Sequence, residues 1–182
     1  MTNVKATKLS IAAIIGYQAL LLVVIVLRPD LDPARKPVSE YAIGRHGWVM
    51  VLAFLAAEVS YGSLFVALRP AVRGVTGRIG RGILGACALG AAGVGVFVAD
   101  TVETPLTELT TTGTLHVMLG LSALLLLPFA AVLINLDVAR TDPAAAPVLR
   151  WTAGLPLVGL VLHAVLFLVL PTGGLATPLA RR

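Results

Sequence analysis

The chain of 182 residues is 58% hydrophobic and 13% charged, with a mean hydropathy of +0.94; a soluble domain carries roughly 25% charge. That much apolar surface does not fit inside one water-soluble core, so the composition points to the lipid bilayer as solvent and partner. The net charge of +5 does not signal a nucleic-acid partner, because the basic residues sit in short loops between apolar runs, where they orient helices against anionic lipid.

The single cysteine, Cys87, lies inside an apolar run, so neither a disulfide framework nor a cysteine-based metal site is expected. At the start of the chain, Lys5 and Lys8 precede an apolar run over 9–27. A basic flank before an apolar stretch also opens a secretory signal. Here the run is 19 residues long, close to the roughly 20 that span a membrane. It stops at Arg28-Pro29 without a small-x-small cleavage pattern, so a first transmembrane helix is expected. A polar loop, 28–46, leads to a second run over 47–68 that is interrupted by Glu58. The next loop, 69–81, holds Arg69, Arg73, Arg78 and Arg81 and no acid, and a third run follows over 82–99. Loop 100–113 is the reverse, with Asp100, Glu103 and Glu108 and no base. The fourth run covers 114–136, with Pro128 as an expected kink. After Asp137, Arg140, Asp142 and Arg150 the fifth run covers 151–170, and the remaining residues, 171–182, are too few for a sixth span.

The expected fold is therefore all-α, one integral membrane domain over 1–182 built as a transmembrane bundle of five helices. The positive-inside rule puts loop 69–81 in the cytoplasm. The N-terminus is then cytoplasmic, while loops 28–46 and 100–113 and the C-terminus are extracytoplasmic, in a multi-pass protein of the cell membrane. Lys5, Lys8, Arg69, Arg73, Arg78, Arg81, Arg140 and Arg150 fall inside by this count, and Arg28, Arg35, Lys36, Arg45, Arg181 and Arg182 outside.

Two layers of costly polar groups follow. Near the midplane, Glu58 and His163 each lie about 16–18 Å along their runs at 1.5 Å per residue, with Tyr17, Gln18 and Ser122 also near mid-run. An ionisable group at that depth costs several kcal/mol without a partner or a cavity. Glu58 and His163 are expected to pair, as interhelical glue or as a proton-handling or substrate-contacting site. At the outer rim, Ser39, Glu40, Tyr41, Arg45, His46 and Trp48 crowd before the second helix, Asp100 and Glu103 leave the third, and His116 opens the fourth. Gly82, Ala86, Gly90 and Gly93 share a helical stripe with Asp100, which predicts that this face is buried against neighbouring helices.

The rim admits several readings. It is a polar network holding the loops together, or a site for a small ligand or lipid headgroup with Arg45 as anion contact beside His46 and Tyr41. Alternatively, His46, Asp100 and His116 hold a divalent metal that activates water, although no compact element such as His-x-x-Glu-His is present. The catalytic candidates are Glu40, Asp100, His116 and Ser39, the last as a nucleophile with His46 or His116 but without a nucleophile elbow. Trp48 and Tyr41 are expected as interface anchors.

Pro37-Val38-Ser39-Glu40-Tyr41, Gly44, Gly47-Trp48, Phe97, Asp100 and Gly113-Thr114-Leu115-His116 together resemble the domain-of-unknown-function 998 family of small prokaryotic membrane proteins, over roughly 10–170. The resemblance implies a helical membrane bundle without a known activity. It also implies that Ser39, Glu40, Asp100 and His116 belong to one extracytoplasmic site. Such proteins usually look six-helical, whereas here Gly173-Gly174-Leu175 runs into Arg181-Arg182 where a last helix is expected. A missing wall can be supplied by a second copy, as a homo-oligomer.

Three functions follow as expectations. The first is a membrane protein that binds a lipid, small molecule or protein partner at its outer rim. The second is a membrane-embedded enzyme, hydrolase-like with or without metal, acting on a lipid or other apolar substrate. The third is a proton-coupled carrier using Glu58 and His163 across a dimer.

Overall fold

The computed structural model describes residues 3–169, with side chains as far as Val165. Its five helices are α1 (Val4–Leu27), α2 (Gly47–Ala67), α3 (Val75–Val96), α4 (Thr111–Thr141) and α5 (Ala146–Val169), with a single 3-10 turn, Val38–Ala42, ahead of α2. There is no strand among the described residues. All five helices are long and apolar enough to cross a membrane. Even the shortest, with 21 residues, is about 31 Å long and so matches a hydrocarbon core of about 30 Å. The expected end of the fifth run at 170, the tail 171–182 and the absence of a sixth helix lie outside the described residues.

Four of the five helices begin ahead of their apolar runs because caps, and not hydropathy, decide where a helix starts. α3 begins at Val75 instead of 82, and one basic residue of its early turns packs on the neighbouring helix. Arg81 lies 4.4 Å above the centre of the Phe65 ring, a cation–π contact that keeps the guanidinium on the helix. α4 begins at Thr111, capped by the Thr110 hydroxyl, which accepts the Gly113 N–H at 3.0 Å. It runs on through Pro128 to Thr141, where Asp142 accepts the N–H groups of Ala144 and Ala145 at 3.1 Å and starts the turn into α5.

Extensive helix packing among the described residues is sequential: α1 on α2, α2 on α3, α3 on α4, α4 on α5. The result is a row more than a closed barrel of helices. Burial peaks at its centre, with 44% of the α3 span buried against 6% for α5.

α3 takes the middle because it is rich in small residues, which let backbones close up where lipid supplies no hydrophobic drive. A Cβ at Gly80 would stand 2.8 Å from the Leu133 Cβ. The seam differs from the expected stripe. Gly82 and Ala86 are exposed while Gly90 of that stripe is buried, and the other buried positions are Gly77, Gly80, Leu84, Cys87, Ala88, Ala91, Val94 and Gly95. Asp100 does not continue any helical stripe, because α3 ends at Val96 and Phe97 is extended. A small residue shows that close approach is possible, not on which side a neighbour arrives.

Candidate functional site

The end of the row that carries loops 28–46 and 97–110 gathers the polar groups. Loop 28–46 folds back on itself through Arg28, whose guanidinium donates to the Ile43 carbonyl at 2.7 Å and pairs with Asp30 at 2.9 Å. That contact holds the Asp30 carboxyl below the usual carboxylate range. The Tyr41 phenol, 1% exposed, donates to the Leu31 carbonyl at 3.1 Å. Tyr41 is thus a pin inside the loop and not an anchor at the lipid interface; Trp48, 64% exposed, has the exposure that such an anchor needs.

The 3-10 turn presents Glu40, 4% exposed, to the segment leaving α3. One carboxylate oxygen accepts the Val102 N–H and the other meets Lys36 Nζ at 3.2 Å. Lys36 also pairs with Glu103. Glu103 first and Glu40 second raise the Lys36 ammonium above its ordinary value, while Lys36 lowers the Glu103 carboxyl. One lysine therefore fastens the two loops together through two carboxylates.

Asp100 and His116 fasten the same segment at other points. Asp100 accepts the Thr110 N–H at 2.8 Å and the Thr110 hydroxyl at 3.0 Å, and that hydroxyl caps α4. Gly113 leaves the room, since a Cβ there would overlap Asp100. His116, 5% exposed, meets the Phe97 carbonyl through Nδ1 at 2.7 Å. A carbonyl only accepts, so Nδ1 carries a proton. The ring sits edge-on to Phe54 of α2, with centroids 6.1 Å apart. No partner reaches Nε2 among the described residues. Among the described residues no fully buried side-chain nitrogen or oxygen is left unpaired.

Glu40 and His116 thus hold the six-residue stretch 97–102 at Val102 and Phe97, while Asp100, within that stretch, ties it to Thr110. Among the described residues no group of three or more His, Cys, Asp and Glu side chains is placed to share a metal ion. The expected set of His46, Asp100 and His116 is not such a group. His46 instead sits in the left-handed region (φ 66°) at the start of α2, two residues after Gly44 (φ 75°). Ser39 makes no hydrogen bond to His46 or His116 among the described residues. Gly47 packs under the Ala42 carbonyl so closely that a Cβ would overlap it. The Arg45 side chain is exposed and no carboxylate pairs with it among the described residues.

Glu58 and His163 are not brought together within the chain. Glu58 is half-buried on α2 beside a groove shared with Lys5 of α1, while His163 is exposed on α5, which packs on α4.

The sequence reading missed Asp137. It is 3% exposed near the other end of α4, and its Oδ2 accepts the N–H groups of Arg73 and Gly74 at 3.1 and 3.0 Å. It caps α3 from a different helix, where α3 has neither a side-chain cap nor an acid in its first turn. Its signal in the sequence was the pair Gly74 and Gly77, both of which leave room for it.

A family model described as "Protein of unknown function (DUF998)" matches residues 10–181. No curated protein and no solved structure matches the chain.

Proposed function

The chain belongs to the DUF998 family, and from that premise we propose that it is a multi-pass membrane protein whose loop-bearing end binds an anionic group, a lipid headgroup or a small molecule. The observation that carries this reading is how the charges are committed. Asp30, Asp32, Glu40 and Glu103 pair with Arg28, Arg35 and Lys36, and Asp100 is held by Thr110. The Arg45 guanidinium is left exposed beside the start of α2, a helix with neither a side-chain cap nor an acid in its first turn. A free guanidinium at the positive end of a helix dipole suits a carboxylate or phosphate.

The test is binding of the purified protein to vesicles of neutral lipid with and without anionic lipid, and to inorganic phosphate. Arg45→Ala is expected to abolish the preference for whichever anion binds while leaving thermal stability within about 0.5 kcal/mol. Equal binding by both proteins would sink the reading.

Orientation follows from the opposite end. Arg69, Arg73, Arg78, Arg140 and Arg150 are exposed there, and by the positive-inside rule this supports a cytoplasmic position for that end and the N-terminus, with the loop-bearing end outside. An impermeant thiol reagent is expected to label Trp48→Cys, not Trp151→Cys, in intact cells.

A second reading, an enzyme on a membrane-soluble substrate, is favoured by His116 Nε2, which no partner reaches among the described residues and which is a candidate proton acceptor. It is tested by incubating the protein with mixed membrane lipids and following new products by mass spectrometry. Products lost in His116→Gln support it, and an unchanged lipid profile removes it.

A further inference from the structure

Two ionisable side chains deep in the spans have no hydrogen-bond or ion-pair partner among the described residues. Glu58 borders an open groove of about 550 Å³ along α1 and α2, whose walls include Lys5, Leu9, Gly62 and Ser63. Lys5 does not close on it as an ion pair. His163 is exposed on α5, the terminal member of the described row.

The two share one depth. Take the level where Asp137 meets Gly77 as zero. The hydrogen bond from Asn135 to Thr152 at 3.3 Å carries that level onto α5. His163, further along α5, then stands about 20 Å up at 1.5 Å per residue. On the other side, α3 climbs from Gly77 to Gly95, which faces Phe54. Glu58, one turn back along α2, stands about 21 Å up by the same count. At that depth a solitary carboxylate and a solitary imidazole each cost several kcal/mol, and α3 and α4 separate them within the chain.

We propose that a second copy of this chain pairs them. A twofold axis along the membrane normal leaves every residue at its own depth and reverses the order of the row. Two rows placed face to face by that axis set α5 of each copy over the α1–α2 groove of the other. His163 then meets Glu58 of the partner subunit, and Glu58 meets His163 of the partner subunit. Equal depth is the condition this symmetry imposes on a mutual pair, and the acid and the imidazole supply the complementary charge. The inference does not rest on the anion-binding reading.

The test is cross-linking in membranes. A Cys87→Ala background removes the native thiol. Glu58→Cys and His163→Cys chains carrying different tags are then co-expressed and oxidised. A mixed-tag dimer is expected, at least tenfold above either variant alone. In parallel, the unmodified chain in lipid nanodiscs is expected to have the mass of a dimer. Glu58→Gln or His163→Ala should weaken that dimer at least tenfold with helical content retained, and the swapped double variant, Glu58→His with His163→Glu, should restore it. A monomer in nanodiscs overturns the proposal. So does a cross-link confined to His163→Cys with itself, or a dimer indifferent to both substitutions, as expected if Glu58 serves Lys5 instead.

Discussion

The two ends of the helix row solve one problem by different means. At the Glu40 end, long loops are held by many modest contacts: Arg28 on Ile43, Lys36 on Glu40 and Glu103, Thr110 on Asp100, His116 on Phe97. At the Asp137 end the connections are short, and one buried carboxylate caps α3 across a helix interface. Contacts spread over many groups tolerate losing one, whereas a single buried charge does not. The arginines around Asp137 remain free to face lipid headgroups, while most charges at the other end are spent inward.

The largest expected effect breaks that contrast at the sparse end. Asp137→Ala strands two backbone N–H groups at the start of α3 and opens a hole beside Gly77, for a loss of about 3 kcal/mol. A lowered unfolding midpoint in detergent checks it; a midpoint unmoved from the parent would remove the special standing of this carboxylate. Glu40→Ala is expected to cost less, about 2 kcal/mol, since Arg28, Asp100 and His116 keep their contacts. Faster amide exchange confined to 99–103 would show the release. A stability loss as large as that of Asp137→Ala would erase the contrast.

The smallest effect is the pH dependence of the Lys36 strap. Glu103 has its folded value lowered by Lys36, so its contribution is present above the ordinary carboxylate value and fades as pH falls through the lower folded one. Lys36 has its value raised, chiefly by Glu103. Its contribution is therefore complete below the ordinary lysine value and fades as pH rises through the raised one. Protection of 99–103 is expected to be flat near neutral pH and to drop in acid, and Lys36→Met should flatten the acid drop. A profile identical in both proteins would assign the protection to other contacts.

Much of the fold was legible because hydropathy over some twenty residues is a strong signal, and five spans were read from it. The ends were not, because Thr110, Asp142 and Asp137 act by hydrogen bonds that hydropathy ignores. At the rim, the partners of Glu40, Asp100 and His116 were not legible. Glu40 and His116 meet backbone at Val102 and Phe97, and Asp100 meets Thr110; backbone carries no side-chain signature. Asp137 escaped for the same reason: it looked like an ordinary loop acid just past an apolar run. The pairing of Glu58 with His163 failed within the chain because equal depth says nothing about which helices are neighbours.

The sequential row also bears on how the molecule is made. Each helix after the first packs on the one synthesised just before it, so assembly can keep pace with the ribosome. A nascent chain halted after α3 would already hold its α1–α2 and α2–α3 seams. The fastening of the 97–110 loop must wait until His116 emerges and reaches back to Phe97, and the capping of α3 until Asp137 follows.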